Sequence, residues 1–264
     1  MTAALFITFA ITAIMGFPIW IVLVLSCFAG IFLGGSATPM LVIAQRMFTS
    51  VDSFPLLAIP LFMVAGNLME GGGISRRLIN FCNSLLGGFT GGLAMVAVLT
   101  CMLFAAISGS GPATVAALGI ILIPAMINRG GFSAPFASSL MASASSIAIV
   151  IPPSIAFVVY ASITGVSVGD MFMGGWIPGI MMVIIIMIEC RKKGIQASKA
   201  KSSWGQRWKS FREAFWGFLM PVIIIGGIYG GVFTPTEAAA VSVVYGLVVG
   251  VFIYREVKMK DMID

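Results

Sequence analysis

Polar side chains interrupt the apolar sequence at few places, and the most polar interruption is the segment 106–114. It reads AISGSGPAT and so holds three hydroxyls, two glycines and a proline. Glycine and proline at this density do not continue a helix, so backbone N–H and C=O groups are exposed beside the hydroxyls. Backbone unpaired at membrane depth occurs only where it is buried in protein or lines a cavity. The segment is therefore a candidate ion or substrate site.

The apolar arms 91–107 and 113–128 flank this segment and make it the tip of a helical hairpin. If the hairpin is re-entrant, the carbonyls that end the first arm suit a small cation. The positive N-terminal end of the second arm, near Ala113, suits an anion. The alternative interpretation is an ordinary loop in water between two full spans.

A second candidate site is the segment 151–154, which reads IPPS and lies within the apolar run 133–165. Its two prolines remove two backbone donors and free the carbonyls one turn earlier. Further hydroxyls precede it, on Ser138, Ser139, Ser143, Ser145 and Ser146. A helix that unwinds at mid-bilayer often marks a transporter site. The alternative is a simple proline kink, with small serines packing helix on helix.

A third motif, Thr234-Pro235-Thr236-Glu237, has a local explanation. Threonine at the N-cap, proline in the first turn and glutamate at the third helical position form a capping box. We therefore predict a structural role for this motif.

The composition excludes several function classes. Of the 264 residues, 59% are apolar and 9% charged, and the mean hydropathy is +1.10, which excludes a soluble enzyme. Histidine is absent, which removes histidine-dependent catalysis and histidine metal ligands. No ionisable residue occupies the middle of a predicted span, so hydroxyls and carbonyls favour Na⁺ over a proton relay. We predict no enzyme and no organic cofactor. The cysteines lack zinc spacing and are predicted to be small buried hydrophobes: Cys27, Cys82, Cys101 and Cys190.

The elements that position these motifs are predicted to be helices in an all-α polytopic membrane protein. The spanning or broken segments are 3–35 with a break at 16–18, 55–69, the hairpin 91–128, 133–165, 174–190, 214–232 and 238–254. Two segments, 39–54 and 75–86, look amphipathic and interfacial, and Ser75 is a predicted N-cap.

Basic residues cluster strongly in one loop. Eight of the 15 lysines and arginines lie between Arg191 and Arg212, which places this loop in the cytoplasm. Counting spans from there puts the other basic clusters on the same side and Asp170 and Thr234 outside. The net charge of +6 therefore reflects membrane topology and predicts no nucleic acid partner.

Four stretches are together specific for a known family, and the chain resembles the large membrane subunit of tripartite ATP-independent periplasmic (TRAP) transporters of the dicarboxylate and sialic acid type. They cover most of the chain in the family's order. These stretches are IPLFMVAGNLMEGGGISRRLINF (59–81), MLFAAISGSGPATVAALGIILIPAMINRG (102–130), IPPSIAFVVYASITGVSVGDMF (151–172) and LMPVIIIGGIYGGVFTPTEAAAVSVVYGLVVGVFIYRE (219–256).

The resemblance implies an ion-transporter-type elevator fold with a re-entrant hairpin and a broken helix in the first of two inverted repeats. It implies Na⁺-coupled import of organic acids such as C4-dicarboxylates or sialic acid across the bacterial inner membrane. The implied partners are a small membrane subunit and a periplasmic substrate-binding protein. The implied Na⁺ site consists of Ser108, Gly109, Ser110, Gly111 and Thr114; the implied substrate site consists of Pro112, Ala113, Pro152, Pro153 and Ser154.

Three parts are predicted: 1–90 as scaffold helices and amphipathic arms, 91–172 as half of a transport domain, and 173–264 as further spans around the basic loop. Two departures from the family pattern stand out. Ala156 replaces the second proline of the family phrase IPPSIP, and the sequence covers only the first repeat, so we do not expect the isolated chain to transport. The alternatives are an ion channel, another carrier of the ion-transporter superfamily, or a non-transporting membrane scaffold.

Overall fold

A computed structural model describes residues 2–33, 40–193 and 203–257, and every element within these ranges is helical. The chain divides into two compact units, 1–52 and 53–264. Of the described helices, five are long and apolar enough to cross a membrane, or six if one bent pair counts as a single span. The described ranges therefore have the architecture of an all-α polytopic membrane protein, as the sequence predicts.

The first unit contains a pair of apolar helices. Helix α1 (Thr2–Ile14) and helix α2 (Ile19–Leu33) pack against each other, with Leu5 of α1 beside Gly30 of α2. The break between them lies where Gly16 and Pro18 predict it, because proline cannot continue the preceding helix. Helix α3 (Met40–Val51) confirms the helical prediction for most of 39–54, and its interfacial position stays a prediction.

The second unit begins with a short 3-10 turn and continues through ten α-helices, the last of which runs on into a π-helix. In chain order these are the turn Phe54–Leu57, α4 (Ala58–Gly71), α5 (Ile74–Leu86), α6 (Gly92–Ser108), α7 (Gly111–Asn128), α8 (Ala134–Ser145), α9 (Ile147–Val150), α10 (Ile155–Thr164), α11 (Val168–Lys192), α12 (Trp204–Tyr229), α13 (Pro235–Leu247) and the π-helix Val248–Ile253.

Helix α6 forms the centre of this unit. It packs against α4, α5, α7, α8, α9, α11 and α12, and almost all of its residues from Ala94 onward are buried. Its sequence is apolar on every side, which is typical of a helix surrounded by protein or lipid. The first candidate site therefore lies at the end of the most deeply packed helix.

Several helices begin earlier than the apolar pattern predicts. Helix α11 begins at Val168 rather than 174, α12 at Trp204 rather than 214, and α7 at Gly111 rather than near Ala113. Hydropathy marks the part of a helix that suits lipid, whereas the helix itself begins at its cap. Ser167, Ser203 and Ser110 supply those caps by accepting a backbone N–H of the first turn.

The capping box at Thr234 is confirmed. The Thr234 backbone N–H donates to the Glu237 carboxylate over 2.8 Å, and the Glu237 N–H donates to the Thr234 hydroxyl over 3.3 Å. The predicted N-cap at Ser75 is wrong: Gly73 is the N-cap of α5 in the left-handed region, at φ +72°. The Glu256 carboxylate and the Arg77 guanidinium fill the space beside Gly73, so a side chain there would have to displace them.

The prediction of small buried cysteines holds for three of the four. Cys82, Cys101 and Cys190 are buried, and Cys27 is exposed on α2. The three functional parts predicted within 1–90, 91–172 and 173–264 stay predictions, because the division after Asp52 reflects packing alone.

Candidate functional site

The hairpin tip is tighter than its sequence suggests, because only two residues leave helical geometry. Helix α6 ends at Ser108, Gly109 adopts φ +63°, and Ser110 is extended before α7 begins. The Gly109 N–H caps α6 by donating to the Ala105 carbonyl over 2.9 Å. The Ser110 hydroxyl caps α7 by accepting from the Ala113 N–H over 3.4 Å.

Three oxygen atoms lie together inside this tip. The Ser108 Oγ and Thr114 Oγ1 atoms are 3.3 Å apart, and Thr114 Oγ1 donates to the Ser110 carbonyl over 2.8 Å. The Ser108 side chain also accepts from the Ser110 N–H over 3.4 Å. Ser108 and Thr114 are 4% and 0% exposed, so this oxygen cluster is removed from the surrounding solvent and lipid.

The segment 151–154 interrupts a helix, as predicted. The helical pieces on either side are bent by 42°. The Pro152–Pro153 peptide bond is cis. Fully buried Ser154 caps α10: its hydroxyl accepts from the Phe157 N–H over 3.4 Å and donates to the Ile149 carbonyl over 2.5 Å.

The hairpin tip and this broken helix contact each other directly. The Ile155 N–H at the start of α10 donates to the Gly109 carbonyl over 3.3 Å. A Cβ atom on Gly109 would lie 2.6 Å from the Pro153 carbonyl oxygen, so only glycine permits this approach. The two interruptions, predicted separately from the sequence, thus form one continuous polar site at the end of α6.

Two further contacts shape this site, and one of them involves serines already named among the hydroxyls before the double proline. The helix before the double proline is also interrupted between α8 and α9, at Ser145 and Ser146, where the Ser145 carbonyl lies beside Gly111. On another side, Gly66 of α4 allows the Ser108 backbone to approach closely: a Cβ there would lie 3.2 Å from the Ser108 Cα. Neither position carries a proline, and a lone glycine in a helix is only a weak sequence signal of close packing.

The oxygen atoms of the tip are neutral, which limits the ions they suit. Within the described ranges, no hydrogen bond is donated to the Ile107 or Ser108 carbonyls, which end α6 and point beyond it. The described residues also contain no group of three His, Cys, Asp or Glu side chains that could hold a metal. Hydroxyl and carbonyl oxygens are hard, uncharged donors and fit an alkali cation such as Na⁺.

The helix N-termini at the site are partly occupied by the protein itself. The N–H groups of Ala113, Ile155 and Phe157 already donate to oxygens of the site. In the first turns of α7 and α10, the Gly111 and Ala156 N–H groups have no acceptor among the described residues. Those two donors are what an anion could use.

The residues predicted to bind substrate fall into two groups. Pro112 is exposed and Ala113 is partly exposed, whereas Pro152, Pro153 and Ser154 are buried beneath the hairpin tip. The first two lie at the surface of the described residues, and the last three shape the contact between the tip and the broken helix.

The fold and site together define a polytopic, all-helical membrane protein built around a two-helix hairpin that contacts a broken helix. Residues 6–264 match the family described as "Tripartite ATP-independent periplasmic transporter, DctM component". The chain belongs to this family, and its relatives are transporter permeases, not enzymes.

Curated relatives resemble the chain over nearly its full length. It is 44% identical over 264 residues to the isethionate TRAP transporter permease protein DctMQ of Oleidesulfovibrio alaskensis, covering 98% of this chain and 41% of that protein. It is 45% identical over 259 residues to the C4-dicarboxylate TRAP transporter large permease protein DctM of Vibrio cholerae, covering 96% and 56%. The sialic acid permease SiaM of the same organism is 38% identical over 253 residues, covering 94% and 58%. The chain thus spans about half the length of the curated relatives it matches.

Proposed function

We propose that the chain forms the first repeat of a Na⁺-coupled carrier that imports organic acids across the bacterial inner membrane. The observation that carries this proposal is the contact between the hairpin tip and the broken helix, made by the Ile155 N–H and the Gly109 carbonyl. Irregular backbone from two elements meets there beside buried hydroxyls. Broken helices whose termini converge at one point are typical of secondary transporter sites.

In this proposal the cation site is on the α6 side of the tip. The Ser108 and Thr114 hydroxyls and the carbonyls that end α6 hold Na⁺, and Gly109, Ser110 and Gly111 give the tip its shape. The pairing between Ser108 Oγ and Thr114 Oγ1 supports this assignment, because two hydroxyls 3.3 Å apart can turn their lone pairs toward a shared cation.

The substrate site of this proposal is at the helix N-termini. The free N–H groups of Gly111 and Ala156 lie at the starts of α7 and α10, where the helix dipoles favour negative charge. A carboxylate of the substrate fits these donors. Relatives named for C4-dicarboxylate and sialic acid support an organic acid as the solute class.

The complete transporter is proposed to work as an elevator with further components. A second, inverted repeat would complete the site, and a small membrane subunit and a periplasmic substrate-binding protein would complete the assembly. The relative named DctMQ, whose name extends that of the large permease protein DctM, supports a further component associated with the large subunit.

Sodium-dependent uptake in a full-length relative tests the cation site. We expect Ser108→Ala and Thr114→Val, made at the matching positions, to raise the Na⁺ concentration needed for half-maximal uptake about tenfold or more, since each removes an oxygen near the cation. Thr100→Val is the matched control. Thr100 is equally buried on α6, but its hydroxyl donates to the Val96 carbonyl and bonds the Cys82 side chain, both away from the tip.

Two outcomes would contradict the proposal. Uptake whose Na⁺ dependence is the same in the Ser108 and Thr114 variants as in the Thr100 control would remove the tip hydroxyls from the cation site. Solute flux that ignores the binding protein would favour a channel.

A further inference from the structure

The first turns of α12 extend beyond the part of that helix that suits lipid. Helix α12 has 26 residues, about 39 Å at the usual helical rise, whereas the hydrocarbon of a bilayer is about 30 Å thick. Its uninterrupted apolar part begins only after Glu213. These lengths leave the segment 203–212 outside the hydrocarbon, at the depth expected for the lipid headgroups.

The segment 203–212 combines exposed tryptophans with basic side chains. Trp204 and Trp208 are 81% and 63% exposed. Indole rings are favoured at the membrane–water interface, where one edge meets lipid and the other meets water. The three basic residues of the segment are Arg207, Lys209 and Arg212, and the first acidic residue of α12 is Glu213.

The basic side chains of the segment lack acidic partners. Within the part of the chain that the structure describes, none of the three makes an ion pair with a carboxylate. The Arg207 Nε atom is moreover shielded from solvent and has no hydrogen-bond partner there. Because this nitrogen is shielded, an anion would bond Arg207 through the outer nitrogens of its guanidinium.

The segment is held in a defined position. Its Ser203 N-cap and Gln206 form a capping box at the start of α12. The Trp208 ring stacks on Phe211 at 5.7 Å between centroids, and Phe211 packs on Phe81 of α5 at 5.9 Å. The tryptophans and the basic residues are therefore presented on a rigid helix rather than on a flexible loop.

We propose that the segment 203–212 binds the phosphate groups of anionic phospholipids. Trp204 and Trp208 set the depth of the segment at the headgroups. Arg207, Lys209 and Arg212, together with the positive N-terminal end of α12, neutralise the phosphate charge. The charge of the segment is complementary to anionic headgroups and not to the zwitterionic headgroup of phosphatidylcholine.

Quenching of tryptophan fluorescence by brominated lipids tests this proposal on the full chain. The chain has five tryptophans, and replacing Trp20, Trp176 and Trp216 by phenylalanine leaves Trp204 and Trp208 as reporters. This parent protein is reconstituted into phosphatidylcholine vesicles that carry the same small mole fraction of either dibrominated phosphatidylglycerol or dibrominated phosphatidylcholine. We expect dibrominated phosphatidylglycerol to quench as strongly as if its concentration around the two tryptophans were about fivefold or more above that in the bulk bilayer. A roughly fivefold enrichment corresponds to the contribution of one basic residue near an anionic surface.

Two triple variants separate a site from a general effect of charge. The variant R207Q/K209Q/R212Q should abolish the enrichment. The matched control R76Q/R129Q/R191Q removes the same charge from exposed residues outside α12 and should leave the enrichment unchanged. Circular dichroism and size-exclusion chromatography verify that each variant is folded and monodisperse.

Three results would overturn the proposal. Equal quenching of the parent by both brominated lipids, or none by either, would show that the segment does not select anionic headgroups. An equal loss of enrichment in both triple variants would show a response to net charge alone. Self-association in pure phosphatidylcholine that R207Q/K209Q/R212Q abolishes would identify a second copy of the chain as the occupant.

Discussion

Replacing Gly109 by alanine perturbs the contact between the hairpin tip and the broken helix most directly. Gly109 has φ +63°, a region that costs an L-residue about 1–2 kcal/mol. The new Cβ would lie 2.6 Å from the Pro153 carbonyl oxygen, which is backbone and cannot swing aside. Overpacking of this kind costs about 1–3 kcal/mol. We therefore expect Gly109→Ala to lower the free energy of unfolding by about 2–5 kcal/mol.

Gly165→Ala is the matched control, because it places an alanine in the left-handed region without crowding a neighbouring atom. Gly165 has φ +75°, and a Cβ atom added to it would meet no neighbouring atom within 4 Å. Its replacement should cost only about 1–2 kcal/mol. Thermal unfolding of both variants in the same detergent measures the difference, and each 1 kcal/mol corresponds to roughly 2–4 °C at this chain length. A midpoint for Gly109→Ala equal to or above that of Gly165→Ala would refute the close approach of the tip to Pro153.

Three more predictions test other parts of the structure by thermal unfolding. Ala156→Pro should leave the midpoint nearly unchanged, because the Ala156 N–H, at the second helical position of α10, has no acceptor among the described residues. Phe157→Pro should lower the midpoint, because it removes the hydrogen bond from the Phe157 N–H to the Ser154 hydroxyl. Equal midpoints for the two variants would contradict this boundary of α10. Arg77 forms an ion pair with Glu256 over 2.6 Å and lies over the Tyr254 ring at 3.8 Å. A double-mutant cycle of Arg77→Ala and Glu256→Ala should therefore give a coupling free energy of about 1 kcal/mol. Additive effects of the two substitutions would show that the ion pair contributes nothing. Thr234→Ala should cost about 1 kcal/mol by removing the N-cap of α13, and an unchanged midpoint would show that the capping box does not stabilise that helix.

The sequence predicts the places where helices stop whenever proline or glycine causes the stop. The breaks at 16–18, at the hairpin tip and at 151–154 all follow from these residues, because proline removes a donor and glycine permits the left-handed region. The break between Ser145 and Ser146 carries neither residue, so its sequence looks helical. At this break the Ser145 and Ser146 hydroxyls each donate to a backbone carbonyl three residues earlier, and the Ser145 carbonyl lies beside Gly111 of the hairpin.

The contact that unites the candidate site could not be predicted from local pattern. Gly109 and Pro153 are far apart in the sequence, and the apolar periodicity of α6 and α10 is too uniform to show which faces meet. The polar groups of each interruption can be identified from the sequence, because hydroxyls and helix breakers are conspicuous in an apolar sequence. Their union depends on side-chain packing around α6, which a single sequence does not encode in any short motif.

The incorrect N-cap at Ser75 has a similar origin. The sequence offers a serine before an amphipathic helix, which is a standard start signal. The structure instead places the N-cap of α5 at Gly73, where φ is +72° and the Glu256 and Arg77 side chains occupy the adjacent space. Glu256 lies near the other end of the second unit, so the packing around Gly73 involves a contact that no local pattern shows.

The most direct test of the central claim is a cryo-EM map of a full-length relative, recorded once in Na⁺ and once in K⁺. We predict density for an ion beside the Ser108 and Thr114 hydroxyls in Na⁺ that is lost in K⁺, with the tip still touching the broken helix. A tip that lies in bulk water, beside a double-proline helix that runs straight, would contradict this claim.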